Sequence, residues 1–296
     1  MGRSLPDEYD QVQDILRIMR QQEATIYKRT NEDGADELKA LWRRLLIEWM
    51  YFVVDYCNLR RESVAAAAFF LDITVSKDLV QTREEHSLAA ATALQLALKT
   101  FDTASIKLER LVRLGRGLFT AADIVRMESR ILQALDWHVH PTTSYCFLRQ
   151  FERLLPFTVS ETAHQMIGEV TKLASELTAT EQKYNQFPPS VVAYAGMLVA
   201  MELIDHTDLP ICQRHCFVIN MATIANLDSK SSLVLKAFDE LKQSLDTSSK
   251  LEEVIEAIAA AQFKKSKVAI DLSASSRRKS VVQSPRHVMM DRMHSC

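Results

Sequence analysis

The charged residue that stands out first in this chain is Glu128. At 100° per residue, Ile124, Met127, Ile131, Leu132 and Leu135 form one apolar stripe with Arg126, Arg130 and Gln133 opposite, and Glu128 falls inside the stripe. A carboxylate buried there alone costs several kcal/mol, so it needs either an internal cation or a group that docks from outside. Lys99 poses a milder version of the same question. It closes a run of Ala, Leu, Thr and Gln from Leu88 to Leu98, where a cation either answers the last carbonyls and the helix macrodipole or offers a second contact. Asp72 adjoins a face made by Val64, Ala68, Leu71 and Val75 and also requires a partner if buried. These groups suit ion pairing and recognition rather than bond making.

Other candidate chemistries find no support. Cys212 and Cys216 stand four apart beside His215, but no second pair of ligands has a zinc-site spacing, and His138 and His140 around Val139 are equally isolated. No metal is expected. The Gly115–Gly117 GRG is a turn, since it lacks the Lys-Ser or Lys-Thr pair that a phosphate loop needs. With no nucleophile beside a base, no metal cluster and no phosphate loop, the chain does not read as an enzyme, and no cofactor is expected.

The elements that position these residues are helices. Thr82 and Glu85 are spaced as a capping box, and the helix they open is apolar or small on nearly every side from Leu88 to Leu98, which places it inside a domain with neighbours close around it. Before it, Gln11 to Lys28 predicts a peripheral helix with a thin apolar stripe of Ile15, Ile18, Met19 and Ile26. A loop spans Asn31 to Asp36. Trp42, Leu45, Leu46, Trp49 and Val53 then recur at the spacing of a core-facing helix, and Glu62 to Lys77 predicts the next. After it come a helix from Thr103 to Leu114 and one opened by the capping box of Thr120 and Asp123.

From Pro141 a second set follows with a similar rhythm: Tyr145 to Leu155, Ser160 to Thr178, Ser190 to Ile204, Ile211 to Ala225 and Ser229 to Leu245. SVVAYAGMLVAMEL repeats the small, all-round apolar character of the first central helix, so two five-helix units each surround a central helix. Lys250 to Phe263 adds a terminal helix. The expected division is 1–36, an N-terminal helix and loop; 37–140 and 141–263, the two units; and 264–296, a Ser-rich tail too polar to fold.

Composition agrees with an all-α chain. Only 6 of 296 residues are Gly, and no Pro falls between Pro6 and Pro141. There is no apolar run of membrane length and no signal-peptide core at the N-terminus, and five scattered cysteines fit a reducing compartment. From Lys264 onward eight Lys or Arg and two Asp give +6, leaving −8 on the first 263 residues. An acidic body argues against direct nucleic-acid binding, because that affinity comes from cations neutralising phosphates.

Taken together, Arg43 in LWRRLLIEW, Asp72 in FFLDITVS, Leu88 in HSLAAATA, Lys99 in LALKTFD and Glu128 in IVRMESRIL resemble the five dispersed residues of the cyclin box. The resemblance to the cyclins covers roughly Tyr9 to Leu155, and QKYNQFPPSVVAYAGMLVAM is similar to a helix of the family's second box. It implies two tandem cyclin folds and a regulatory subunit that pairs with a cyclin-dependent Ser/Thr kinase. It implies a buried Arg43–Asp72 ion pair, a structural place for Leu88, and Lys99 and Glu128 turned to the kinase near its regulatory helix. Activation would be conformational, through the inward shift of that helix.

The resemblance also implies a docking patch for basic-hydrophobic motifs of kinase substrates or inhibitors. Trp42, Arg43, Arg44, Leu45 and Leu46 take the place of Met-Arg-Ala-Ile-Leu, Trp49 is kept, and Phe52 stands where an acid would receive a substrate arginine. Thr100, Phe101 and Asp102 follow Lys99 where the family has an aromatic residue and two acids, and Ile73 follows Asp72 in place of Arg. These departures keep open a cyclin-fold scaffold that binds a kinase without activating it. A transcription adaptor of the same fold would use basic surfaces and a zinc ribbon, which this sequence lacks. Residues 1 to 40 contain no Arg-x-x-Leu destruction box, so the layout is closer to short G1-type cyclins. In the tail, Ser284 before Pro285 suits a proline-directed kinase and Ser280 after Arg277-Arg278-Lys279 a basophilic one, and the same basic run suits nuclear import. The expected location is nucleus and cytoplasm.

Overall fold

The computed structural model describes residues 5–28, 37–102 and 106–260. The Asn31–Asp36 loop, Thr103, the 264–296 tail and its Ser280 and Ser284 therefore lie outside the described residues. Among the described residues the α-helices run α1 Leu5–Ala24, α2 Glu37–Tyr56, α3 Ser63–Ser76, α4 Arg83–Phe101, α5 Leu108–Leu114, α6 Ala121–Ala134, α7 Ser144–Phe151, α8 Glu161–Thr180, α9 Pro189–Glu202, α10 Ile211–Thr223 and α11 Ser232–Asp246. Residues 249–260 are also helical, and no strand occurs among the described residues. The chain divides after Leu251 into a compact unit and a second short one beginning at Glu252.

Two helices organise the compact unit. α4 is packed by α2, α3 and α6, and α9 by α7, α8 and α11. Every residue from Ala89 to Leu98 in α4 is buried, including Thr92 and Gln95. Its alanines let α3 and α6 approach closely, and Thr92 spends its hydroxyl on the Leu88 carbonyl, so that hydroxyl is not left bare. Leu88 itself is half-buried and packs against this core. The expected capping boxes are both present: Glu85 N and Asp123 N each donate 3.2 Å to the hydroxyls of Thr82 and Thr120, and the carboxylates reach back to the cap amides. α4 continues two residues beyond Lys99 to Phe101, whose ring packs edge-on against His140.

The structure corrects three of the sequence expectations. On α1 the buried face is Val12, Leu16 and Glu23, continued by Tyr27 in the turn that follows, while Ile15 and Ile18 on the helix and Ile26 in the turn are exposed. On α2 the core face is Arg43, Ile47, Met50 and Val54, with Val53 of the expected stripe also buried; Leu45 is exposed, Trp42 is half-buried, and Leu46 and Trp49 are half-buried at the edge of the core. Both helices carry two apolar stripes, and the one that is buried is chosen by its neighbours. The helix expected from Thr103 starts at Leu108, after the extended N-cap Lys107, and the carbonyl of buried Ile106 accepts 2.9 Å from the side-chain amide of Gln95.

α1 explains why its buried face includes a carboxylate. α9 begins with Pro188 and Pro189 and has no side-chain cap of its own. Glu23 supplies one from the other end of the chain, accepting from Ser190 N at 3.0 Å and Ser190 Oγ at 2.5 Å. A negative charge at a helix N-terminus is favourable both for its hydrogen bonds and for the macrodipole. Arg20, one turn earlier, donates to the carbonyls of Ala225 and Asn226 at 2.9 and 2.7 Å. Glu23→Ala is expected to destabilise the protein by about 1–3 kcal/mol, the cost of stranding a buried donor of a charged hydrogen bond. Urea unfolding with hydrogen exchange checks this: the midpoint falls and α1 amides exchange faster, whereas unchanged α1 protection rejects the docking role.

Candidate partner-binding site

Arg43 and Asp72 meet inside the fold. The guanidinium forks onto the carboxylate, Nε to Oδ1 at 2.6 Å and Nη2 to Oδ2 at 2.9 Å, and the side chains are only 10% and 21% exposed. α2 and α3 place them there because both residues sit on the faces the two helices turn toward each other. Burial alone would push Arg43 down, but the charge and hydrogen bonds of Asp72, with Glu181 and Tyr51, outweigh it and hold Arg43 above its ordinary value. The pair also reaches the second repeat. Arg43 Nη1 donates 3.0 Å to the Thr180 carbonyl at the end of α8, and Asn185 donates 3.3 Å to Asp72 Oδ2. Nothing in the sequence spacing pointed to Thr180 or Asn185, which are more than a hundred residues away.

A second link runs parallel to it. Arg61 donates to both oxygens of Glu176 on α8, at 2.6 and 2.5 Å, and lies over the Tyr51 ring. The Glu176 hydrogen bond, against a desolvation cost, raises Arg61 above its ordinary value.

Lys99 and Glu128 are also brought together. Nζ donates to Oε1 at 2.7 Å and Oε2 at 2.9 Å, joining the end of α4 to the middle of α6. The anomaly in the α6 stripe is thereby resolved: Glu128 is 18% exposed with a cation beside it, and Lys99 is 43% exposed. The pair stands at the surface edge of the apolar core. Of the residues after Lys99, Asp102 accepts 3.1 Å from the amide of Arg60 and so is occupied within the chain.

The residues of the expected docking patch line a groove of about 530 Å³ between α2, the start of α4 and the α5–α6 turn. Trp42, Leu46 and Trp49 form one wall, Leu114 and buried Phe119 the other, and exposed Leu45, Phe52 and Leu118 rim it. Trp42 packs edge-on against His86, a buried histidine whose Nδ1 lies 2.8 Å from the Thr82 carbonyl. Gly115 is required at the turn. A Cβ there would come within 2.3 Å of the Phe119 ring, so any side chain would displace that wall. Phe52, at the position of the expected acid, is stacked on Tyr56 at 6.1 Å. Sequence reasoning missed His86 and the three arginines of this groove, Arg83, Arg113 and Arg116. A signal for them was available only as exposed basic residues at the ends of α4 and α5.

Among the described residues no group of three or more His, Cys, Asp or Glu could hold a metal ion, and no helix is long and apolar enough to cross a membrane.

The family model "Cyclin, N-terminal domain" matches residues 14–140 and "Cyclin, C-terminal domain" matches 142–271. Cyclin-D3-3 of Arabidopsis thaliana is 25% identical over 222 residues, 73% of this chain and 58% of that protein. A G2/mitotic-specific cyclin-B of Dictyostelium discoideum is 27% identical over 161 residues, covering 54% of this chain and 35% of that one. G2/mitotic-specific cyclin-B3 of Mus musculus is 22% identical over 189 residues, 64% of this chain and 13% of that protein. The chain thus spans from about an eighth to somewhat over half the length of these relatives. In fold it is similar to a viral cyclin from herpesvirus saimiri, with a TM-score of 0.61 at 15% identity, covering 80% of this chain and 97% of the other. With two matched domains spanning nearly the whole compact unit, and relatives that are themselves cyclins, this all-α chain belongs to the cyclin family.

Proposed function

We propose that the protein is the regulatory subunit of a cyclin-dependent Ser/Thr kinase, which it binds as a heterodimer and activates in control of cell-cycle progression. The observation that carries this reading is the Lys99–Glu128 pair, a bidentate ion pair held at the surface by two helices of the first repeat. It sets an ammonium donor beside a carboxylate acceptor on two packed helices, the arrangement that would hold the backbone of a kinase's regulatory helix. The chain contributes no reacting group. Its action is to bias the kinase between two conformations, completing the Lys-Glu pair of the kinase's own active site. The names of several relatives, G2/mitotic-specific cyclins, support the cell-cycle setting. The nucleus and cytoplasm are the proposed locations, the basic run near Ser280 serving import.

The test is capture from the source cell by wild type and by Lys99→Ala/Glu128→Ala, with kinase activity assayed on the bound fraction. The double variant is expected to lose about tenfold or more of the captured activity. Its thermal melting should stay close to wild type, since a partly exposed ion pair contributes only ~1 kcal/mol or less. Equal activity on both proteins rejects this interface. A kinase held but inactive supports the scaffold instead, and capture of no kinase by wild type rejects kinase regulation altogether.

A further inference from the structure

The groove between α2, α4 and the α5–α6 turn has an electrostatic character opposite to the one its resemblance implied. Its walls are apolar and open: Leu45 is 50% exposed, Phe52 60% and Leu118 58%, a clustering that marks a contact surface rather than scattered surface hydrophobes. Its volume of about 530 Å³ lies within the range of ordinary ligand clefts. Arg83, Arg113 and Arg116 stand around it, all exposed, and none of the described residues lining it is acidic. Neither does any of the three arginines share an ion pair with a described carboxylate. The arginines nearby in sequence behave differently: Arg126 pairs with Asp123, and Arg44 with Glu48. Three unneutralised guanidiniums thus frame an apolar trough in a protein whose body carries a net negative charge.

We propose that this groove binds an acidic-apolar peptide segment of a partner protein, with leucine or phenylalanine side chains on Trp42, Leu46, Trp49 and Phe119 and flanking carboxylates on Arg83, Arg113 and Arg116. Guanidinium forks match carboxylates in charge and geometry, while Phe52 offers no acceptor for a basic residue. A basic segment would place its cations against three like charges with no acid in the lining to offset them. The groove therefore selects by repulsion as well as by attraction. This inference rests on the groove alone and is independent of kinase binding by Lys99 and Glu128.

The experiment uses the full chain without any kinase. Three short fluorescent peptides, in which leucine and phenylalanine alternate with glutamate, with lysine or with serine, are titrated by anisotropy at low and high salt. Intrinsic tryptophan emission reports occupancy beside Trp42 and Trp49. The glutamate peptide is expected to bind about tenfold or more tightly than the lysine one, with the difference shrinking as salt screens it. Arg83→Glu/Arg116→Glu, and Arg113→Glu made separately, should abolish or reverse that order. These are exposed side chains, and unchanged melting verifies the fold. Three outcomes overturn the proposal. In the first the lysine peptide equals or exceeds the glutamate one, and in the second no peptide saturates. In the third, the preference survives in the arginine variants, which would place acidic-peptide binding on the basic 264–296 segment.

Discussion

Asp72→Ala is expected to lower the stability of the compact unit by about 3–5 kcal/mol, the range for stranding one partner of a buried ion pair. Without the carboxylate, Arg43 keeps only the Thr180 carbonyl as a direct hydrogen-bond partner among the described residues, in a position where its side chain is 10% exposed. The guanidinium cannot escape the cost by losing its proton, because its intrinsic affinity for it is too high. Urea unfolding reads the loss as a lowered midpoint, with hydrogen exchange rising at the C-terminal end of α8, where the Thr180 and Asn185 contacts tie the repeats. Replacing both partners together, as Arg43→Met/Asp72→Leu, should be much milder, since two apolar groups leave no uncompensated charge. A loss below ~1 kcal/mol for Asp72→Ala would mean that water or Glu181 already satisfies Arg43, and that the pair is not what joins the repeats.

Leu94→Ala should cost about 2–5 kcal/mol, the range for a core leucine whose surroundings collapse only partly. Leu94 lies in the middle of α4, fully buried among the side chains of its neighbouring helices. Those neighbours cannot close the cavity easily, because alanines at Ala90, Ala91, Ala93 and Ala97 already bring the helices near contact. For a unit of this size each kcal/mol lowers the melting temperature by roughly 2–4 °C. Leu45→Ala is the matched control: half of Leu45 is exposed at the groove rim, so the melting temperature should barely move. If the two variants melt alike, α4 is not the organising helix of the first repeat.

The features legible in the sequence are those decided within a few residues. Thr82 with Glu85 and Thr120 with Asp123 cap their helices through bonds that close over three residues, so spacing alone reveals them. The all-round apolar character of Leu88 to Leu98 is equally local, and it identifies a buried helix without saying what buries it. Glu128 was recognisable as a residue in need of a partner for the same reason, since a carboxylate inside an apolar stripe conflicts with its own helix. Arg43, Asp72, Leu88, Lys99 and Glu128 were found by resemblance, because no local rule links residues 29 apart on different helices.

Only the tertiary structure decided which stripe of an amphipathic helix faces inward. On α2, Trp42, Leu45, Leu46 and Trp49 are more apolar than a face containing Arg43, yet the Arg43 face is buried and the other lines a groove. On α1, Glu23 is buried while Ile15 and Ile18 are exposed. Hydrophobicity counts the gain from burying each face but omits the specific partner, and Asp72 for Arg43 and Ser190 for Glu23 reverse the ranking. The charge of the groove was hidden in the same way. Arg83, Arg113 and Arg116 are unremarkable surface residues along the chain, and become one feature only when α4, α5 and the turn after it converge on α2. A sequence determines the helices and the residues that must find partners; the packing of distant helices determines which partners they find.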